Sequence, residues 1–384
     1  MASASDGPRL LVVGDPFFLD RHRPLIVALR GHFGIVDELA VRDPAPLPRA
    51  LAGLAALVRG ELRPPLRPAL RALRDRFEKR PATFARKSRA TARRIAALSP
   101  APDVVLQLFG MSSPRAPGAT SAVPYAHYSD FTMALAARDW PAWAPYHNPA
   151  ALERWEALEG ESYRGAVRAF GFAASTVASF VADYGVAPER AVAVGAAGRY
   201  ETVGATRAYG SRRIIFNGSD FARKGGDLAL AAFRLVRERV PDAALAVVGT
   251  GALPAEPGLE ACGPVPRAEV FALLDGADVV LAPARADMLP GFVSEAMSRG
   301  CVPVVSDRPG VADAVRDGEE GFVVPLEATA IAAAVMRVLD DPGLAARLGS
   351  GARARVERDW NWTAVAAKIA TELEAATPLG RKTS

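Results

Sequence analysis

The residues best suited to chemistry lie between Asp287 and Ser306. Asp287 and Glu295 stand eight positions apart, on either side of Pro290-Gly291-Phe292. Carboxylates accept hydrogen bonds from sugar hydroxyls. A short helix from Phe292 to Arg299, stopped by Gly300, would leave the first amides of its N-terminus without intrahelical acceptors, so they could face an anion. Phe292 and Val293 supply those amides. Acids that hold hydroxyls, beside a helix end that holds phosphate, suggest a nucleotide-sugar site. A second cluster, Arg223-Lys224-Gly225-Gly226, follows the apolar run Arg213 to Gly218. Adjacent cations on a glycine-flanked loop make a compact site for a diphosphate.

These side chains need elements to hold them. Ala277 to Pro283 and Cys301 to Ser306 read as buried parallel strands around the Phe292–Arg299 helix. Their loop lies where the carboxyl ends of parallel strands place ligands. Arg213 to Gly218 and Ala243 to Gly249 read as two further strands, and Gly321 to Pro325 as a closing one. Helices are expected over Asp227 to Val240, Ala268 to Leu274, Ala328 to Leu339 and Pro342 to Arg358. The first half opens on Arg9 to Gly14, a buried strand ending in glycine. Ile35 to Val41, Pro102 to Gly110, Val123 to Asp130, Ala169 to Ser175 and the end of Gly185 to Val194 continue the strand series. Helices fall at Ala150 to Gly165 and at Thr176 to Tyr184, the latter with Ser175 as a cap. Glycine-bearing, aperiodic residues 195 to 210 read as an interdomain linker. Trp140, Trp143, Tyr146 and His147 cluster in a proline-rich loop, where they could either stack on a sugar or cap the core.

The run Asp287 to Ser306 resembles the signature of family 4 glycosyltransferases, retaining enzymes of the GT-B fold. Glu295-Ala296-Met297, Gly300, Pro303 and Val304 match it, with Asp287 where the family has a first glutamate. The resemblance implies two Rossmann-like, doubly wound parallel-sheet α/β domains facing a central cleft, and a C-terminal helix crossing back to the first. The expected boundaries are an acceptor domain over 1–200, a donor domain over 211–358, and a crossover helix and tail over 359–384. The second acid, Glu295, is then the ribose ligand, and Asp287 faces the donor sugar. Lys224 and Gly225 match the family's diphosphate loop. Ser219 replaces its arginine, a charge that Arg223 could supply, and Gly218 ends the strand beneath. The turn at Val265 and Arg267 corresponds to the family's base-contacting turn. The strand ending at Asp130 corresponds to one that carries an acid or a histidine near the anomeric centre, which makes Asp130 first and His127 second as catalytic candidates. The resemblance covers about 211 to 375 by motif and the first 200 residues by layout only.

Length and composition agree with this class. A chain of 384 residues exceeds what one core usually holds, and half its residues are apolar. The two cysteines, Cys262 and Cys301, sit in apolar settings and read as reduced, which points to the cytoplasm. No His/Cys spacing suggests zinc, and no metal or cofactor is implied. The nucleoside diphosphate sugar, UDP- or GDP-linked, is the co-substrate, and the acceptor is unidentified. Between residues 59 and 94, thirteen Arg or Lys residues stand against three acids. That stretch reads either as a solvated helical face or as a peripheral contact with anionic membrane at the inner surface. No nucleic-acid module accompanies it. The leading function is metal-independent, retaining transfer of a sugar to an acceptor. The alternatives are a nucleotide-sugar epimerase of the same fold, or an inactive nucleotide-sugar-binding module.

Overall fold

The computed structural model describes residues 7–43, 75–121, 123–146, 148–200, 207–251 and 253–377. The chain forms two compact units. Met1–Gly171, Thr176–Val194 and Ala366–Ser384 make the first, and Phe172–Ser175 with Gly195–Val365 make the second.

In the first unit, six parallel strands run β1 (Arg9–Gly14), β2 (Ile35–Ala40), β3 (Val104–Leu108), β4 (Tyr125–Ser129), β5 (Arg168–Gly171) and β6 (Ala191–Ala193). Their order in the sheet is β2-β1-β3-β4-β5-β6. β1 pairs with both neighbours, Leu10 lying opposite Val36 on one side and Val104 on the other. Strands covered on both faces need apolar side chains at every position, which is why Leu10 to Val13 and Val104 to Leu106 are uninterrupted apolar runs. The chain leaves β1 in one direction to form β2 and returns on the other side to form β3. The carboxyl ends of β1 and β3 therefore flank a switch point, where such sheets open a crevice.

The second unit repeats the plan with β7 (Arg213–Asn217), β8 (Ala244–Val248), β9 (Leu259–Gly263), β10 (Val279–Ala282), β11 (Val302–Ser306) and β12 (Phe322–Val324). Its order is β12-β11-β10-β7-β8-β9, so the reversal falls between β7 and β10. One face is covered by the helices Gly226–Arg239 and Ala328–Asp340. The second of these turns Ile331, Val335, Val338 and Leu339 inward at helical spacing against Phe233, Leu281 and Val304. Each such side chain contributes about 1.5–3 kcal/mol by leaving water.

Three local readings change. Leu259–Gly263 is an edge strand whose residues are exposed or only half-buried, so it carries no apolar run to announce it. The Ala174–Ala182 helix begins before Ser175, so that residue lies inside the first turn and does not cap it. Its hydroxyl donates to Asp313 Oδ2 at 2.9 Å. Residues 195–200 are tied into the second unit, with Trp362 Nε1 donating to the Gly198 carbonyl at 3.0 Å.

Candidate functional site

At the reversal between β7 and β10, the loop after each strand turns back over the sheet. The first, 219–226, ends at Gly225, whose φ of 74° marks the left-handed region. A Cβ there would overlap the Pro283 carbonyl oxygen, so glycine alone allows the two loops to approach this closely. They are laced together as well. Arg285 N donates to the Arg223 carbonyl at 2.8 Å, and its guanidinium grips Asp227 through two bonds of 2.8 and 2.7 Å.

Arg223 and Lys224 have different surroundings. The Arg223 guanidinium is buried and donates to Asp220 Oδ2 and to the Ala286 carbonyl, each at 2.6 Å. It also pairs with Asp287 Oδ2 at 3.1 Å. Its charge is thereby used in holding the 284–289 loop. The Lys224 ammonium lies farther from Asp287 Oδ2, at 3.9 Å, and lines a small pocket with Asn217, Asp287, Phe292 and Val293. Asp287 is gripped from both ends, since its Oδ1 accepts from Met288 N at 3.0 Å. Gly218 is buried beneath this pocket's strand, with Thr250 and Val247 where a side chain would go.

The helix Gly291–Ser298 begins without a side-chain cap. Val293 N donates to the Pro290 carbonyl at 2.8 Å. Of the pair singled out in the sequence, the Phe292 amide is thus the one with no acceptor inside the helix, and Gly291 joins it. On the same helix, Glu295 Oε1 accepts from Arg199 N at 2.8 Å and pairs with Arg267 Nη2 at 3.1 Å. The residues assigned to ribose and base are therefore joined directly. Val265 packs near them, against the cluster of Ile215, Ala296 and Cys301 that also seats Phe292.

The first unit has its own crevice, a cavity of about 510 Å³. It opens at the carboxyl ends of β1, β3 and β4, through Asp15, Phe109 to Met111, and Asp130 to Met133. Asp130 is half-buried on its wall and accepts from its neighbour Phe131 N at 2.6 Å. His127 is elsewhere. It is fully enclosed within β4, its Nε2 against Ser162 Oγ at 2.7 Å, and burial pushes its pKa down to about 3. A neutral imidazole packed against Tyr163 and Tyr125 is a core residue and does not reach the cavity. The aromatic loop divides: Trp143 lines the cavity, Tyr146 packs towards Trp155, and His147 lies outside the described residues.

Three cavity residues escaped the sequence reading. Glu159 is buried on the helix Pro149–Gly165 and accepts from Tyr163 Oη at 2.9 Å, Tyr184 Oη at 2.5 Å and Met133 N at 3.1 Å. Burial pushes its carboxyl up to about 7 despite these donors, which favour the charged form. Lys79 donates to the Trp143 carbonyl, and burial lowers its pKa although Asp75, Asp130, Glu78 and Glu159 all pull it up. Lys87 is buried beside them. An acid in line with Trp155 and Tyr163, at i and i+8 about it, was the available signal for Glu159.

The basic stretch can be followed from residue 75 onwards; 59–74 lie outside the described residues. Lys79 and Lys87 face the cavity, and Arg86 Nε donates to Asp43 Oδ1 at 2.6 Å. Arg94 donates to the Ala40 carbonyl at 2.6 Å, and Arg80 lies over the Phe77 ring. Among the described residues, no helix is long and apolar enough to cross a membrane, and no three His, Cys, Asp or Glu side chains are grouped to hold a metal.

Residues 211–341 match the family profile described as Glycosyl transferases group 1. The phosphatidyl-myo-inositol mannosyltransferase of Mycobacterium tuberculosis is 33% identical over 186 residues, 44% of this chain and 49% of that protein. The glycogen synthase of the same organism is 35% identical over 109 residues, 28% of this chain and 26% of that protein. The chain spans about half or less of the length of the curated relatives it matches. Among solved structures, the sucrose-phosphate synthase of Thermosynechococcus elongatus superposes with a TM-score of 0.63 at 15% identity, covering 96% of this chain and 100% of that one. HepE of Anabaena, in complex with UDP and glucose, superposes at 0.60 with 13% identity and the same coverage. These likenesses give the two units the GT-B fold. The profile match and the Asp287–Ser306 run make residues 211–341 similar to the group 1 glycosyl transferases.

Proposed function

We infer that the protein is a retaining, metal-independent glycosyltransferase that uses a nucleoside diphosphate sugar. The observation that carries this reading is the meeting, at the β7/β10 reversal, of the Lys224 ammonium, the Asp287 carboxylate and the uncapped start of the Gly291–Ser298 helix, which carries Glu295 one turn on. In the reaction, the bond from the anomeric carbon to the diphosphate oxygen breaks. A bond from that carbon to the acceptor oxygen forms on the same face, and nucleoside diphosphate and one proton are released. Negative charge grows on the departing diphosphate, so Lys224 and the two amides act most strongly as the transition state is reached. Arg223 acts at one remove: it holds the Asp287 loop in place. Glu295 takes the ribose by releasing Arg267 to the base, and Asp287 orients the donor sugar. Within the first unit, Asp130 is the candidate acid, on the wall of that unit's cavity.

A second reading, a donor-binding module without turnover, draws on the inward-turned Arg223 and the ion-paired Asp287. One experiment separates them. UDP- and GDP-linked sugars are screened by thermal shift, since a ligand raises stability by mass action. The stabilising donor is then incubated with an acceptor panel, with and without EDTA. Release of nucleoside diphosphate unaffected by EDTA supports the transferase; stabilisation without release supports the module, and an epimerised donor supports an epimerase. A flat thermal response to every nucleotide sugar would remove all three.

A further inference from the structure

The 510 Å³ cavity of the first unit has the size of a small-molecule site, about 300–1,000 Å³. Its wall has two features that select a ligand. The first is aromatic. Phe109 stacks on Phe18 with ring centroids 3.9 Å apart and planes 20° from parallel. Phe131 meets Trp143 edge to face at 5.0 Å and 87°. Phe109 holds a backbone φ of 62°, in the left-handed region that bulky side chains avoid at a cost of about 1–3 kcal/mol. The buried Gln107 amide pins this turn, donating to the Leu108 carbonyl at 3.1 Å and to that of Phe109 at 3.4 Å. Phe109 N donates to the Tyr128 carbonyl at 2.8 Å. The turn holds the Phe109 ring at the cavity lining, stacked on Phe18.

The second feature is electrostatic. Five acids line the cavity (Asp15, Asp75, Glu78, Asp130 and Glu159) against two lysines, Lys79 and Lys87. Four of those acids act on the Lys79 ammonium, whose proton is also donated to the Trp143 carbonyl. A phosphate or carboxylate entering here meets more acids than cations on the cavity wall, and few of its charges would be matched. A flat apolar ring meets complementary faces, and its hydroxyl has an acceptor in Asp130 at the end of β4.

We propose that this cavity binds a hydroxylated aromatic compound carrying no negative charge, with its ring against the Phe18–Phe109 and Phe131–Trp143 pairs and its hydroxyl towards Asp130. On the transferase reading, on which this last identification rests, that compound is the acceptor. A phosphorylated polyol headgroup is the ligand class that the cavity disfavours.

The test is binding to the full chain without donor, read by calorimetry and by the fluorescence of Trp143 against a Trp143→Phe control. The probes are 2-naphthol, its anionic analogue 6-hydroxy-2-naphthoate, and inositol 1-phosphate. The expected result is saturable binding of 2-naphthol, at least tenfold weaker binding of the carboxylate, and no binding of the inositol phosphate. Phe109→Gly removes the ring while suiting the backbone; because that ring is also packed in the core, the expected result is a tenfold or greater loss of 2-naphthol affinity in a protein that still melts cooperatively. Phe131→Ala should lose affinity too. Equal or tighter binding of inositol 1-phosphate, or 2-naphthol binding unchanged in both variants, would overturn the proposal. Because donor is absent, 2-naphthol binding without later sugar transfer would count against the transferase and leave this assignment standing. Donor turnover in a protein that ignores 2-naphthol would do the reverse.

Discussion

Lys224 and Arg223 are chain neighbours with separable duties, and their variants should fail in different ways. On the proposed mechanism, Lys224→Ala removes a cation next to the charge that develops on the leaving diphosphate. We expect kcat to fall by about 10²–10³-fold with the melting point nearly unchanged. Arg223→Ala takes from the half-buried Asp287 its nearest cation and from the Ala286 carbonyl its donor, a loss of about 1–3 kcal/mol; Asp220 is exposed and adds little. Its expected signature is a lower denaturation midpoint, and retention of full stability would show that the loop is held by other contacts. Glu159 makes a pH prediction. Its folded value of about 7 lies above the 4.5 of the free side chain, so between those values the folded protein keeps a proton that the unfolded chain has lost. The stability it contributes is present in full below pH 4.5 and is lost as pH rises through 7, by an amount on the order of 3 kcal/mol. Urea unfolding of wild type and Glu159→Gln across pH 4.5–8 should show this slope in the first and not in the second; parallel curves would refute it. At this scale the sequence named Lys224, Asp287 and Glu295, because a signature fixes residue types at a spacing. It also placed Asp130 ahead of His127, but it could not show that His127 is enclosed, since depth within a strand is set only after neighbouring elements close over it.

At the scale of elements, the apolar runs of β1, β3, β7, β10 and β11 were legible because strands covered on both faces leave no polar position. β9 was not, because an edge strand with exposed side chains lacks that constraint. Nor was the inward face of the helix Pro149–Gly165, which carries an acid among its aromatics and so breaks the binary pattern. The turn before the helix Gly226–Arg239 is where an element governs the site. Gly225→Ala combines a left-handed backbone with overlap at Pro283, so the turn must open and carry Lys224 with it. We expect a loss of about 1–3 kcal/mol, several degrees in melting point, together with weakened donor binding. A variant as stable and as tightly binding as wild type would mean that the two loops need not touch.

At the scale of the molecule, two sheets of related plan each carry a switch-point crevice: the first between β1 and β3, the second between β7 and β10. The second is lined by Lys224, Asp287 and the start of the Gly291–Ser298 helix, the first by aromatic rings, five acids and two lysines. Hydrogen exchange can address each separately. A stabilising nucleotide should slow exchange at 213–226 and 287–298, whereas an aromatic ligand should slow it at 107–111 and 128–133. Protection by nucleotide confined to the first set of strands would reverse the assignment of the two crevices.

Gly110 bears on how such a molecule could be retooled. A side chain there would strike Tyr163 Oη and come within 2.6 Å of Glu159 Oε1, so on this part of the chamber wall the backbone lies directly against the tyrosine–carboxyl pair. Changes in ligand length are closed to that position and fall instead to Met111 and Ala136 on the wall, where trimming or adding a few carbons lengthens or shortens the chamber without disturbing the tyrosine–carboxyl lock.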